Sequence, residues 1–259
     1  MLGSRGDVEP RTIRHRGFRV AVKFLSSADS AVIVEFGDRI DRAVSEQVLG
    51  LAARMRASGV PGVIEVVPTF RSLMVHYDPL RTSAKHLIPA IERVLTSKTA
   101  LDRKRRLWRV PVCYERDFAP DLESVAQETR LAPADVVALH AGMRYHVYMI
   151  GFVPGYPYMG DLAEALVLPR RADPRIRVPP GSVSIATTMT AIYPVESPGG
   201  WHLIGTTPIR IFHPHAPQPA LFAPGDAVEF EPIDAGTFAR IRAAIERNDY
   251  RPASTELAA

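Results

Sequence analysis

The sequence contains few of the features that mark secreted or membrane proteins. Cys113 is the single cysteine among 259 residues, so an intrachain disulfide is impossible. No apolar run approaches the roughly 18 to 20 residues that a helix needs to cross a bilayer. The first seventeen residues, MLGSRGDVEPRTIRHRG, are polar and basic and lack the apolar core of a secretory signal. We therefore expect a cytoplasmic protein that does not contact a membrane.

Lysine is also scarce, which affects how the basic charge is interpreted. The formal net charge is +4, yet only four of the 32 basic residues are lysine. Acidic residues are interspersed along the chain, and no recognition-helix or RNA-binding motif accompanies the charge. We therefore expect no nucleic-acid partner. Arginine does bind carboxylates and phosphates through two parallel hydrogen bonds, so recognition of a small anion stays open.

The first hundred residues alternate between strand and helix patterns. FRVAVKF, AVIVEFG, VIEVVPT and RSLMVHYDP have the pattern of half-buried strands. Between the second and third of them, Val44, Val48, Leu51 and Met55 share one stripe of a helix that Gly59 ends. A second helix is predicted over TSAKHLIPAIERVLTS. This order indicates a small α/β sandwich-like domain over residues 18–100, after a disordered segment over residues 1–17.

A charge-rich stretch, KTALDRKRRLWRV, separates this domain from a different pattern. A strand at RRLWRVPVCYE and two short helices near Pro120 and Pro133 come first. From residue 145 onward, short strand patterns alternate with turns rich in proline and glycine, which favours a barrel or sandwich. One amphipathic helix, AGTFARIRAAIERN, follows. The prediction is an α+β chain with a β-barrel domain over residues 101–247 and a frayed tail over residues 248–259.

Three unusual turns in the β-rich half indicate a small-molecule pocket. The first, GFVPGYPYMG, is too rich in proline and glycine for a helix, yet it carries Tyr156 and Tyr158. The second is VPPGSVSIATT. The third, ESPGGWHLIGTTP, contains Gly199 and Gly200, and glycine permits positive φ and close approach of the backbone to a ligand. The alternative is that any one of these turns is only a barrel corner.

Charged and titratable residues near these turns are the candidates for chemistry. LPRRADPRIRVPP carries Arg170, Arg171, Arg175 and Arg177, each of which either faces solvent or binds an anion. By position alone, His202 is the best candidate for a general acid or base, although a structural role is an equal alternative. The histidines lack the spacing of a zinc site, so no metal site is expected. No phosphate-binding loop and no nucleophile elbow is present.

The motifs resemble those of the PxpB/KipI family, also called allophanate hydrolase subunit 1. The resemblance rests on GFVPGYPYMG, LPRRADPRIRVPPGSVSIA, IYPVESPGGWHLIGTTP, VPVCYERDFAPDLESVA and the N-terminal run from SADSAVIVEFGDRI to PGVIEVVPTFRSLMVHYDP. It implies that the β-rich half is a cyclophilin-like β-barrel. It also implies two partners, a PxpC/KipA-like subunit (allophanate hydrolase subunit 2) and a PxpA-like subunit.

The same resemblance implies an activity, namely that of the PxpB component of an ATP-dependent 5-oxoprolinase. In that scheme this chain and the PxpC/KipA-like subunit use ATP and magnesium to phosphorylate the lactam oxygen of 5-oxo-L-proline, and the PxpA-like subunit hydrolyses the ring to L-glutamate. Tyr156 and Tyr158 would pack on the substrate ring or the adenine. Arg170 or Arg177 would hold a carboxylate or phosphate, and His202 would assist proton transfer.

The chain departs from the family pattern at one loop. Where members often read Ala-Gly-Gly-Gln-Thr-Gly-Ile-Tyr-Pro, this sequence has Thr187, Thr188, Met189 and Ala191 in place of the glycines and the glutamine. The threonine hydroxyls offer new hydrogen bonds at the pocket. A substrate other than 5-oxoproline is therefore an open alternative.

Two alternative functions remain. One is a KipI-like regulator that binds and inhibits a histidine kinase. The other is half of a carboxyltransferase, as in urea amidolyase. No Ala-Met-Lys-Met sequence for biotin attachment is present, so in that case the biotin would come from another chain.

Overall fold

The computed structural model describes residues 11–15, 18–97 and 104–257. The chain divides into two compact units, one ending at Arg103 and the other beginning at Lys104. The charge-rich residues 98–103, where the sequence predicts the boundary between domains, lie outside the described ranges. Within those ranges, no helix has the length and apolar character needed to cross a membrane.

The first unit is an antiparallel sheet covered by two helices. Its elements are β1 (Arg11–His15), β2 (Phe18–Ser27), β3 (Ala31–Glu35), α1 (Arg42–Ser58), β4 (Val63–Pro68), β5 (Ser72–Tyr77) and α2 (Ala84–Thr96). The strand order is β1-β2-β3-β5-β4. Its core joins Leu73, Val75 and Tyr77 of β5 to the α1 stripe that includes Val48 and Leu51.

Local interactions cap both ends of α1, and the predicted stop at Gly59 is confirmed. The Asp41 carboxylate accepts a hydrogen bond of 3.1 Å from the N–H of Val44, one of the backbone donors that a helix start leaves without an intrahelical partner. Gly59 ends the helix at φ 56°, a left-handed conformation that glycine adopts without strain.

The second unit is a closed barrel with helices around it. Its elements are β6 (Arg105–Cys113), α3 (Leu122–Thr129), α4 (Pro133–Ala141), β7 (Arg144–Ile150), β8 (Pro157–Gly160), β9 (Arg175–Val178), β10 (Ser182–Ala186), β11 (Met189–Ile192), β12 (Ser197–Gly199), β13 (His202–Thr206), β14 (Ala227–Ile233), α5 (Ala235–Glu246) and β15 (Ala253–Leu257). Seven strands follow the order β13-β10-β11-β8-β7-β14-β6, and β13 pairs with β6 at Thr206 and Cys113 to close the ring. The predicted α+β class with a C-terminal β-barrel is confirmed.

Alternation along the strands separates the barrel interior from its outer face. Val183 and Ile185 of β10 lie in the apolar core, so Ser184 between them faces outward. Met159 of β8 also lies in the core, and Tyr158 beside it therefore faces outward. The strands β9 and β12 form a separate two-stranded sheet.

Two terminal predictions are wrong in part. Residues 11–15, predicted to be disordered, form β1 and pair with β2 from Arg11 to His15. Residues 253–257, predicted to belong to a frayed tail, form β15 and pair with β6. Both strands lie at sheet edges, where backbone hydrogen bonds to a neighbouring strand supply the order. ASTEL of β15 has no fully buried side chain, so its apolar pattern could not reveal a strand.

Candidate functional site

Five aromatic side chains meet at the barrel and the turns beside it, and we call them the aromatic cluster: Phe152, Tyr156, Tyr158, Tyr193 and Trp201. Tyr156 is at the centre, with its ring centroid 5.4 Å from Phe152, 5.0 Å from Tyr158, 5.1 Å from Tyr193 and 6.1 Å from Trp201. All four contacts are edge-to-face, an arrangement that aromatic quadrupoles favour. Tyr156, Tyr193 and Trp201 are buried, whereas Tyr158 is half-buried and Phe152 is exposed.

Hydrogen bonds fix the tyrosines of the cluster. The Tyr156 hydroxyl donates to the Tyr193 oxygen and accepts from Ser184, and the Tyr193 oxygen also accepts from the backbone N–H of Trp201. Burial raises the pKa of both tyrosines, so both stay protonated at neutral pH. These hydroxyls are therefore structural hydrogen-bonding groups.

Gly199 lies directly against Tyr193 of the cluster, because a glycine has no side chain to occupy the space that the tyrosine fills. A Cβ at Gly199 would lie 2.1 Å from the Tyr193 oxygen, far inside van der Waals contact. A Cβ at Gly200 would lie 3.7 Å from Pro174, an ordinary contact. Neither glycine has positive φ, so that part of the prediction is wrong, whereas the predicted close approach of their backbone to a ligand stays a prediction.

Arg170 is the cation of the cluster. Burial raises the pKa of Tyr158 and of Tyr193, and the nearby Arg170 guanidinium opposes both rises. Arg170 is exposed, and no acidic side chain in the described part of the chain pairs with it. An unpaired guanidinium beside a half-buried ring is suited to a ligand that has both an anionic group and an apolar face.

Two other arginines of the motif are held by one nearly buried carboxylate. Arg175 binds both oxygens of Asp121, at 2.7 and 2.8 Å, and Arg171 binds one of them at 3.0 Å. The N–H of Leu203 donates to the same carboxylate at 2.7 Å. These contacts join the start of α3 to β9 and β13, so Arg171 and Arg175 are structural.

Arg177, a predicted anion ligand, lies on the surface instead. Its side chain is 79% exposed, and its Nε is 3.3 Å from the Glu196 carboxylate. Of the four arginines of the motif, only Arg170 lacks an acidic partner within the described ranges, and it is also the one beside the aromatic rings.

Three hydrogen bonds hold the backbone that carries Arg170. We call Leu168–Arg171 the arginine segment. The Thr187 N–H donates to the Leu168 carbonyl at 2.6 Å, and the Arg171 N–H donates to the Gly200 carbonyl at 2.8 Å. His202 Nε2 lies 2.9 Å from the Pro169 carbonyl. Three predicted site residues thus position the segment around Arg170.

The contacts of His202 indicate which tautomer is present. A carbonyl only accepts, so Nε2 carries the proton and donates to Pro169. His202 is buried, and its Nδ1 has no hydrogen-bond partner within the described chain. The observed contact makes His202 a positioning residue for the arginine segment, and the predicted role in proton transfer stays a prediction.

Thr187 and Thr188 form the turn between β10 and β11. Thr187 has φ 52°, a left-handed conformation that is strained for a β-branched residue, and its hydroxyl donates to the carbonyl of Ala186 at 2.6 Å. The Thr188 carbonyl accepts a 3.3 Å hydrogen bond from Leu162. Both side chains are exposed. Their predicted contact with substrate stays a prediction.

Three residues at or near the site do not follow from the sequence reasoning. Trp201 lies in the third turn motif and Tyr193 lies in IYPVESPGGWHLIGTTP, and their large rings beside proline and glycine were the available signal. Asp121 gave no signal, because its partners lie at least 50 positions away along the chain.

The site residues fit only part of the nucleotide and magnesium that the resemblance implies. Arg170 and the rings fit a phosphate or carboxylate with an attached ring. Across the described ranges, no group of three His, Cys, Asp or Glu side chains is placed to hold a metal ion. This part of the chain thus offers an anion and ring site but not the carboxylate set of a magnesium site.

A small α/β unit followed by a closed barrel with this aromatic and arginine site is a carboxyltransferase-type architecture. The chain belongs to the family described as "Carboxyltransferase domain, subdomain C and D", which matches residues 22–222. Two curated relatives are named as the B subunit of 5-oxoprolinase. The one from Bacillus subtilis is 39% identical, covering 78% of this chain and 89% of that protein. The one from Escherichia coli O157:H7 is 37% identical, covering 80% and 94%. The resemblance to the PxpB/KipI family is confirmed.

Solved structures support the same architecture. The structure of TTHA0988 matches with a TM-score of 0.73 and 34% identity, covering 80% of this chain and 41% of that one. This chain therefore spans about two fifths of TTHA0988. The urea carboxylase of Kluyveromyces lactis matches with a TM-score of 0.75 at 19% identity, covering 95% of this chain and 25% of that one, a likeness of fold alone.

Proposed function

We propose that this protein is the PxpB component of an ATP-dependent 5-oxoprolinase and acts with a PxpC/KipA-like and a PxpA-like subunit. The observation that carries the proposal is the unpaired Arg170 beside the half-buried Tyr158. 5-Oxo-L-proline has one carboxylate and one small ring with an apolar face, so the two features of the site correspond to the two features of the substrate. The curated relatives named as the B subunit of 5-oxoprolinase support this assignment.

The chain's own residues bind and orient the substrate. Arg170 pairs with the carboxylate through two parallel hydrogen bonds, and Tyr158 packs against the ring. His202, Thr187 and Gly200 hold the arginine segment, which places the guanidinium before the substrate arrives. A lactam is a poor electrophile, and a phosphoryl group supplied by bound ATP would make its oxygen a leaving group. We assign the magnesium ligands to the partner subunit.

The experiment compares Arg170→Ala with Arg177→Ala in the purified pair of this chain and its PxpC/KipA-like subunit. A lost charge-assisted hydrogen bond weakens binding by about 1.5 to 3 kcal/mol, so Arg170→Ala should raise KM for 5-oxoproline about 10- to 150-fold. Arg177→Ala is the matched control, because it also removes an exposed arginine, and its KM should stay within about twofold.

Two results would count against the proposal. Equal KM values for both variants and the wild type would remove Arg170 from the site. A stable pair whose ATP hydrolysis does not respond to 5-oxoproline would mean that the substrate is different, and the departures at Thr187 and Thr188 would become the leading explanation.

Half of a carboxyltransferase is the second candidate, favoured by the family description and by relatives named urea amidolyase. That reaction needs biotin from another chain, so avidin should abolish turnover. Avidin should leave a 5-oxoprolinase unaffected.

A further inference from the structure

We draw no further inference here: the strongest candidate, the apolar row that Leu25, Ile33 and Met74 form across β2, β3 and β5 on the face of the first sheet that points away from its core, carries none because nothing in the described part of the chain shows what covers it.

Discussion

Replacing Gly199 by alanine tests whether close approach of the Tyr193 hydroxyl organises the aromatic cluster. The added Cβ would lie 2.1 Å from the Tyr193 oxygen, 2.7 Å from Cζ and 2.9 Å from Cε1. Tyr193 is fully buried and edge-on to Tyr156, so its ring has no free space into which it can move. The substitution therefore has to displace either the ring or β12.

The magnitude follows from what the displacement breaks. Two hydrogen bonds to the Tyr193 oxygen are strained or lost, each worth about 0.5 to 1.5 kcal/mol. Overpacking a tight site adds about 1 to 3 kcal/mol. We expect Gly199→Ala to lower the free energy of unfolding of the barrel unit by about 2 to 4 kcal/mol, which corresponds to a fall of roughly 5 to 15 °C in Tm.

The assay is urea denaturation followed by tryptophan fluorescence, because Trp201 belongs to the cluster. Gly200→Ala is the adjacent control. Its Cβ meets nothing nearer than 3.7 Å, so its free energy of unfolding should stay within about 0.5 kcal/mol of wild type. If Gly199→Ala is as stable as Gly200→Ala, the close approach of Gly199 and Tyr193 does not contribute to the free energy of unfolding as we expect.

Three further predictions concern stability. Asp121→Ala should destabilise the protein by about 3 to 5 kcal/mol in urea, because it leaves Arg171 and Arg175 without their buried partner, and a loss below about 1 kcal/mol would contradict this. Thr187→Asn should raise stability by about 1 kcal/mol, since asparagine tolerates φ 52°, and a lower Tm would mean that the turn is not strained. Burial lowers the pKa of His140 from 6.5 to about 3. The unfolded chain therefore binds one more proton than the folded one between pH 6.5 and pH 3, so stability should fall by about 1.4 kcal/mol per pH unit as the pH is lowered through that window, and His140→Gln should remove this slope.

His140 also shows why a histidine is hard to interpret from its position in a sequence. Its Nδ1 lies 2.8 Å from the Tyr114 hydroxyl, its Nε2 lies 2.9 Å from the Thr190 hydroxyl, and its ring stacks on Phe230. The hydroxyl partners come from elements 26 and 50 positions away. This satisfied network is structural, and no local pattern distinguishes it from a catalytic histidine.

The sequence by itself determined most of the secondary structure and the position of the aromatic turns within the chain. Alternation with a period of two or of 3.6 residues reflects which side chains face a core, so it survives in the bare sequence. Gly59 marks the end of α1 in the sequence because helix capping is a local interaction. The aromatic turns predicted a pocket because large rings beside proline and glycine must pack against something.

Only the tertiary structure decided which charged groups remain available and which strands complete the sheets. Arg170, Arg171, Arg175 and Arg177 are equivalent in the sequence, and Arg170 is distinguished only because Asp121 and Glu196 pair with the other three. β1 and β15 exist because a neighbouring strand offers backbone donors and acceptors, which no side-chain pattern records. Both outcomes depend on pairing between segments that are far apart in the sequence and meet only in the folded chain. That pairing leaves Arg170 without an acidic partner within the described ranges and adds β1 and β15 to the edges of their sheets.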